Sequence, residues 1–276
     1  MSVAGEPIRL VVSDIDGTLV RRDKSLSPAN IAAAKRLADA GIPLSLISAR
    51  PMSGMLWIAD ALGIEGPFGA FNGGTVFDRT GTIGTPRRLA TDVGLRILAL
   101  LEEAGVDAWV FANGLWYARN DTNPHVPREK LSAGVMPTLR SELASCCVGA
   151  DKIVGVSDDA ALLKRLEAEV WQTSKGEATV ALSQPYFLDA TAPLANKGDG
   201  LAALAAAMGV PLTQVAVLGD MPNDLPMFAR AGLAIAMGQA PEAVRAAAQW
   251  TTSSNDDDGV AQAIDRLLAE RVGASE

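Results

Sequence analysis

An α/β chain wound into a parallel sheet with helices on both faces, and interrupted by an inserted second α/β unit, is the fold this sequence predicts. Three observations carry the prediction. Ile8–Ser13 is continuously apolar, as in a strand buried on both faces of a parallel sheet. Strand-like and helix-like segments alternate after it, the mark of βαβ units. That alternation resumes at Lys197, after a long stretch of different rhythm.

In order, Ser27-Pro28 opens a helix that runs to Ala40, with proline in the first turn and Gly41 as its stop. Pro43–Ile47 reads as a strand, Ser53–Leu62 as a helix and Phe68–Phe71 as a short strand. The inserted unit is expected over residues 83–185, so that residues 1–82 and 186–276 form the core. Within the insert, Thr91–Ala104 and Asp159–Trp171 read as helical, and Ala108–Phe111, Lys152–Val156 and Ala178–Leu182 as strands. Asn113-Gly114 between Trp109–Ala112 and Leu115–Ala118 predicts a hairpin. Asn120–Pro137 is rich in proline and polar groups and reads as loop with a short helix. Beyond it, Lys197–Met208 predicts a helix, Gln214–Leu218 a strand, Asn223–Ala231 a helix and Leu233–Ala236 a strand. Pro241–Ala248 and Asp258–Glu270 are the last two helices. No internal repeat interrupts this pattern.

Of the 276 residues 49% are hydrophobic, enough for a large core, and the net charge is −8. That balance argues against a nucleic-acid or anionic-membrane binder, which needs a basic face. It does not exclude a phosphorylated ligand, because a bound metal inverts the local field. The two cysteines, Cys146 and Cys147, are adjacent and poorly placed for a disulfide, so they read as reduced thiols of a cytoplasmic protein. No basic-then-apolar leader precedes the first strand, and the uncharged stretch Leu201–Gly219 is broken by Gly209-Val210-Pro211. A membrane span is therefore not expected.

The chemistry concentrates in Val11-Val12-Ser13-Asp14-Ile15-Asp16-Gly17-Thr18, where a strand ends in two carboxylates one residue apart. Acids desolvated side by side repel and call for a compensating cation. They also pair a carboxylate nucleophile with a group able to move protons. Ser48, Lys197 and the run Leu218-Gly219-Asp220-Met221-Pro222-Asn223-Asp224 complete a set in which Asp14, Ser48 and Asp220 each close an inferred strand. Ligands of open parallel sheets bind beyond such carboxyl ends.

These runs, in this order, resemble the signatures of the haloacid dehalogenase superfamily of aspartate-nucleophile phosphatases. Phe71-Asn72-Gly73-Gly74 and Ser254-Asn255-Asp256-Asp257-Asp258-Gly259 are similar to segments of its Cof-like branch. Ser48-Ala49 departs from that branch's more frequent Thr-Gly but keeps the hydroxyl. The resemblance implies a Rossmann-like core carrying an inserted α/β cap. It implies Asp14 as nucleophile and Asp16 as general acid and then base. It also implies Mg²⁺ held by Asp14, the backbone carbonyl of Asp16, and Asp220, with Asp224 behind them. Phosphate oxygens would meet Lys197, the Ser48 hydroxyl, Asn223 and backbone N–H groups at Ile15 and Ala49. Arg50 is open between touching the substrate and forming a salt bridge, and Asn72 between ligand contact and turn residue. His125, the single histidine, reads as a loop residue, and Trp109, Trp116 and Tyr117 as either cap core or pocket wall. The activity implied is hydrolysis of a small phosphorylated metabolite, such as a sugar phosphate. The alternatives are a sugar phosphomutase and a non-catalytic metabolite-binding module. Oligomeric state is not legible.

Overall fold

The computed structural model describes residues 6–273. The first half of the core runs β1 (Leu10–Ser13), α1 (Pro28–Asp39), β2 (Leu44–Leu46), α2 (Ser53–Leu62), β3 (Phe68–Ala70), β4 (Thr75–Asp78) and β5 (Gly81–Thr82). The inserted unit follows with α3 (Thr91–Glu103), β6 (Asp107–Ala112), β7 (Leu115–Ala118), α4 (Val126–Ala133) and β8 (Thr138–Leu139). It continues with β9 (Ala150–Val156), α5 (Ala160–Ser174), β10 (Thr179–Gln184) and β11 (Phe187–Thr191). The chain returns to the core through α6 (Lys197–Ala207), β12 (Val215–Gly219), α7 (Leu225–Phe228), β13 (Leu233–Ala236), α8 (Glu242–Ala246), β14 (Trp250–Thr251) and α9 (Gly259–Gly273).

The core sheet is all parallel, in the order β14-β13-β12-β1-β2. β1 lies inside the sheet, between β12 and β2, as suits a strand whose residues Leu10–Val12 are apolar on both faces. Leu10 and Val12 pack toward α6 and α7, while Val11 faces the layer of α1, α2 and α9. Ser27 caps α1 by accepting the Asn30 N–H at 3.1 Å, with Pro28 in the first turn as its sequence predicts.

The insert is a six-stranded sheet, ordered β10-β11-β9-β6-β7-β8. One face carries α3 and α5 over Val110, Ile153 and Leu188. The opposite face is aromatic: Trp109, Phe111, Trp116 and Phe187 join the hydrophobic cluster that also holds the α1–α2 side of the core. Trp109 and Trp116 are fully buried and meet edge to face at 4.9 Å, so they belong to the insert's interior.

Three expectations need correction. The expected boundary at 185/186 falls inside the β10–β11 hairpin: Phe187–Thr191 pairs with β9 and belongs to the inserted sheet. Pro185 marks that hairpin's turn. The helix expected over Asn223–Ala231 is a 3₁₀ turn at Pro222–Asp224 followed by the four-residue α7. Pro226 and the nearby Gly232 keep it short. The antiparallel flap β3-β4-β5 extends beyond the single strand expected there. The short helix expected within Asn120–Pro137 is α4. Cys146 and Cys147 are buried free thiols, and among the described residues no helix is long and apolar enough to cross a membrane.

Candidate active site

β1 and β12 are paired neighbours, Ser13 opposite Leu218, so Asp14 and Asp220 emerge side by side at the carboxyl edge of the sheet. The Asp14 N–H donates to the Leu218 carbonyl at 2.9 Å, extending that ladder by one bond. Gly17 then turns the chain with φ +80°, and a Cβ there would lie 2.3 Å from an Asp220 carboxylate oxygen. Only glycine satisfies both conditions. Thr18 donates its hydroxyl to Asp220 Oδ1 at 3.1 Å.

Lys197 opens α6, capped by the Asn196 side chain, which accepts the N–H groups of Gly198 and Asp199. This helix start reaches the site because Gly73 and Gly200 touch backbone to backbone: a Cβ on Gly73 would sit 2.4 Å from the Gly200 Cα. The fully buried ammonium of Lys197 lies 2.6 Å from Asp14 Oδ1 and 2.5 Å from Asp224 Oδ1. The second Asp224 oxygen accepts the backbone N–H groups of Asp220 (2.8 Å) and Met221 (2.9 Å). Both Asp224 oxygens are thus occupied in holding Lys197 and the Asp220 backbone.

Asp14, Asp220 and Asp224 each bring a carboxylate oxygen to within 4.8 Å of the others. Burial pushes the Asp14 carboxyl up to about 7; Lys197 pulls it down, while Asp224 and Asp16 push it further up. Burial, then Asp14 and Asp224, hold Asp220 well above the ordinary range. Burial lowers the affinity of Lys197 for its proton, but Asp14 and Asp224 outweigh it and keep the group firmly charged. Three buried acids therefore face one ammonium. An oxygen-only donor set with surplus negative charge suits a hard divalent cation such as Mg²⁺.

Asp16, two residues on, points elsewhere. Arg50 grips it with two parallel bonds, Nε to Oδ2 at 2.7 Å and Nη2 to Oδ1 at 2.8 Å, and Lys24 adds a third. Burial raises its proton affinity, but Arg50 and then Lys24 overcome that and hold it well below the usual carboxylate range. Of the two readings open for Arg50, the structure shows the salt bridge, anchored further by a 3.0 Å bond from Nη1 to the Gly54 carbonyl. Lys24 escaped sequence reasoning because the polar loop Arg21–Ser25 carries no periodic or motif signal.

Ser48 and Ala49 lie just past the end of β2 and line the same cleft as Asp14 and Asp16. The Ser48 hydroxyl accepts the Arg50 N–H at 3.2 Å. Ile15 is fully buried, and its carbonyl accepts the N–H groups of Leu19 and Val20 at 3.0 Å. Asn72 adopts the left-handed conformation of its turn (φ 58°) and donates its N–H to the Ser48 carbonyl at 2.7 Å. Of its two readings the structure shows the turn residue, and its side chain accepts from Asn223 Nδ2 at 3.3 Å. Asn223 lines the cleft as expected, but from a 3₁₀ turn, without a helix N-terminus behind it.

The insert closes the cleft from above. Lys152 of β9 donates to the Ala49 carbonyl at 3.2 Å, lies 3.5 Å from Asp189 and sits over the Phe111 ring at 4.8 Å. Ser53 of α2 donates to the Ala133 carbonyl of α4 at 2.6 Å. Glu129, Ser183, Gln184 and Tyr186 complete the roof. Burial pushes the Glu129 carboxyl up to about 7, with Lys152 opposing and Asp189 and Asp16 reinforcing. None of these was identifiable from sequence, where isolated polar residues of the insert carry no motif. His125 stacks on Tyr186 at 4.1 Å and meets Asp158 at 2.7 Å, outside the cleft wall.

Comparisons with known proteins agree with this geometry. The family model of haloacid dehalogenase-like hydrolases matches residues 11–264. A 5-amino-6-(5-phospho-D-ribitylamino)uracil phosphatase of Bacillus subtilis is 27% identical over 95% of this chain and 99% of its own. An HMP-PP phosphatase of Yersinia pseudotuberculosis is 27% identical over 84% of each chain. The crystal structure of a haloacid dehalogenase-like hydrolase from Bacteroides thetaiotaomicron superposes with a TM-score of 0.83 at 29% identity, over 94% of this chain and 99% of that one. Matched nearly end to end, and with phosphatases by name among its relatives, this chain belongs to the haloacid dehalogenase-like hydrolase family.

Proposed function

We propose that the chain hydrolyses the monoester of a small phosphorylated metabolite, of the sugar-phosphate kind, through an aspartyl-phosphate, with the inserted unit acting as its cap in a cytoplasmic enzyme. The observation that carries this reading is the buried Lys197 bridging Asp14 and Asp224 beside Asp220 at the carboxyl edge of the sheet. Phosphoryl transfer needs a nucleophile, charge neutralisation and proton delivery, with little else asked of the protein.

A carboxylate oxygen of Asp14 attacks phosphorus as the bond to the leaving alkoxide oxygen breaks. Lys197, already on Asp14, neutralises charge on a phosphoryl oxygen, and the Ser48 hydroxyl, the Asn223 amide and the N–H groups of Ile15 and Ala49 cradle the others. Asp16 delivers the proton to the leaving oxygen and then takes one from the water that splits the acyl phosphate. Its present clamp on Arg50 and Lys24 favours the ionised form, so it must loosen that grip to serve as acid. Mg²⁺, held by Asp14, Asp220 and the Asp16 carbonyl, would keep the carboxylates ionised and neutralise charge at phosphorus when bound.

The test is phosphate release from a panel of phosphorylated metabolites, with Mg²⁺ and with EDTA, for wild type and Asp14→Asn. Release that requires Mg²⁺ and falls by at least about 10³-fold in Asp14→Asn is expected. Near-normal turnover by a folded Asp14→Asn protein would overturn the nucleophile assignment.

A further inference from the structure

Glu129 stands out within the cleft. It is 7% exposed, lines the space shared with Asp14 and Asp16, and its carboxyl has no hydrogen-bond or ion-pair partner among the described residues. A buried acid without a partner costs free energy unless something brought into the site satisfies it. The two cations that act on it most are committed elsewhere: Lys152 to Asp189 and the Ala49 carbonyl, Arg50 to Asp16 and the Gly54 carbonyl.

The chemistry of the wall says what would satisfy it. Glu129 accepts hydrogen bonds, Lys152 has an N–H to give, and Ser132, Ser183 and Gln184 can do both. Tyr186 and Phe187 add an apolar strip for C–H bonds. An anionic leaving group would meet the unpaired carboxylate, and a cationic one would meet Lys152 and the Arg128 at the mouth. Neighbouring hydroxyls, which donate and accept from the same atom, fit this lining.

We infer that Glu129 is a specificity-determining residue that receives hydroxyl donors of an uncharged, polyhydroxylated leaving group, and that this selects polyol and sugar phosphates over phosphoesters with a charged leaving group. The inference rests on the phosphatase reading above.

The experiment measures kcat and KM of wild type and Glu129→Gln on three probes: ribitol phosphate, p-nitrophenyl phosphate, whose leaving group has no other hydroxyl, and phosphoglycolate, whose leaving group carries a carboxylate. Wild type should prefer ribitol phosphate over phosphoglycolate by at least about tenfold in kcat/KM. In Glu129→Gln the ratio of kcat/KM for ribitol phosphate to that for p-nitrophenyl phosphate should fall about tenfold, mainly through KM, because a charged acceptor becomes a neutral one. Equal losses on both probes, or phosphoglycolate turned over as well as ribitol phosphate, would overturn the inference while leaving the phosphatase reading intact. Failure of wild type on all three probes would count against both. A Glu129→Gln melt at or above that of wild type excludes a folding defect as the cause.

Discussion

The floor and the roof of the cleft are built on opposite principles. On the floor, Lys197 contacts both Asp14 and Asp224, and Asp224 spends both oxygens on its neighbours. On the roof, Glu129 is also buried yet its carboxyl has no hydrogen-bond or ion-pair partner among the described residues, and Lys152 is held by a single 3.2 Å bond and a loose 3.5 Å pairing. The floor is preorganised, as chemistry requires of groups that must not reorient when charge develops. The roof keeps valences open, as recognition requires of groups waiting for a ligand. The two arrangements divide the labour: groups paired on the floor hold geometry, and a carboxyl left open toward the cleft is free to receive a ligand.

The largest effect that would break this contrast comes from Lys197→Met. Removing the ammonium leaves three buried carboxylates facing one another, a loss of roughly 3–5 kcal/mol for a broken buried pair. Urea unfolding should show it, together with loss of turnover. A stable, inactive Lys197→Met would mean that the floor tolerates open charge as the roof does.

Glu129→Gln should act in the opposite direction. Burial raises the Glu129 proton affinity from an ordinary carboxyl value to about 7. A group with a raised folded-state value contributes stability fully present below its unfolded value and lost as pH rises through about 7. The wild type therefore loses up to about 3 kcal/mol from this group between pH ~4.5 and ~8, and the glutamine variant does not. Thermal melts should match near pH 5 and favour Glu129→Gln near pH 8. Equal melts at both would show that Glu129 has a partner after all.

How far the sequence reached follows the same division. Asp14, Asp220, Ser48 and Lys197 were legible because each follows an apolar strand or opens a helix, and together they form a motif. The parallel core was legible for the same reason, since strands such as Leu10–Ser13 and Val215–Gly219 are buried on both faces. The roof was not, because Glu129, Lys152 and Tyr186 converge from α4, β9 and the β10–β11 turn with no shared local pattern. β11 was hidden by Pro185, which punctuates a turn inside the insert as readily as at its edge. Asn223 was placed correctly beside the site but on the wrong element, since Pro222, Pro226 and Gly232 leave room only for a turn and one helical turn more.

Arg50 ties Asp16 to α2, and Arg50→Lys offers the finest test. The guanidinium spans both Asp16 oxygens and the Gly54 carbonyl of α2, three bonds in one plane that a lysine ammonium cannot reproduce. A positive charge remains, and Lys24 still holds Asp16, so the loss should be modest, about 1–2 kcal/mol. The group's pH signature should weaken with it. In the wild type the Asp16 proton affinity is depressed, so its contribution to stability is present above the ordinary carboxylate range and lost as pH falls through the lowered value. Arg50→Lys should move that acid loss to higher pH, readable as an earlier onset of acid unfolding. Since Asp16 would be freer to take a proton, the variant's turnover should also tolerate alkaline pH better relative to its own maximum. An unchanged acid-unfolding curve would show that Lys24 alone sets the Asp16 charge, and that the floor's order stops short of the residue placed to move protons.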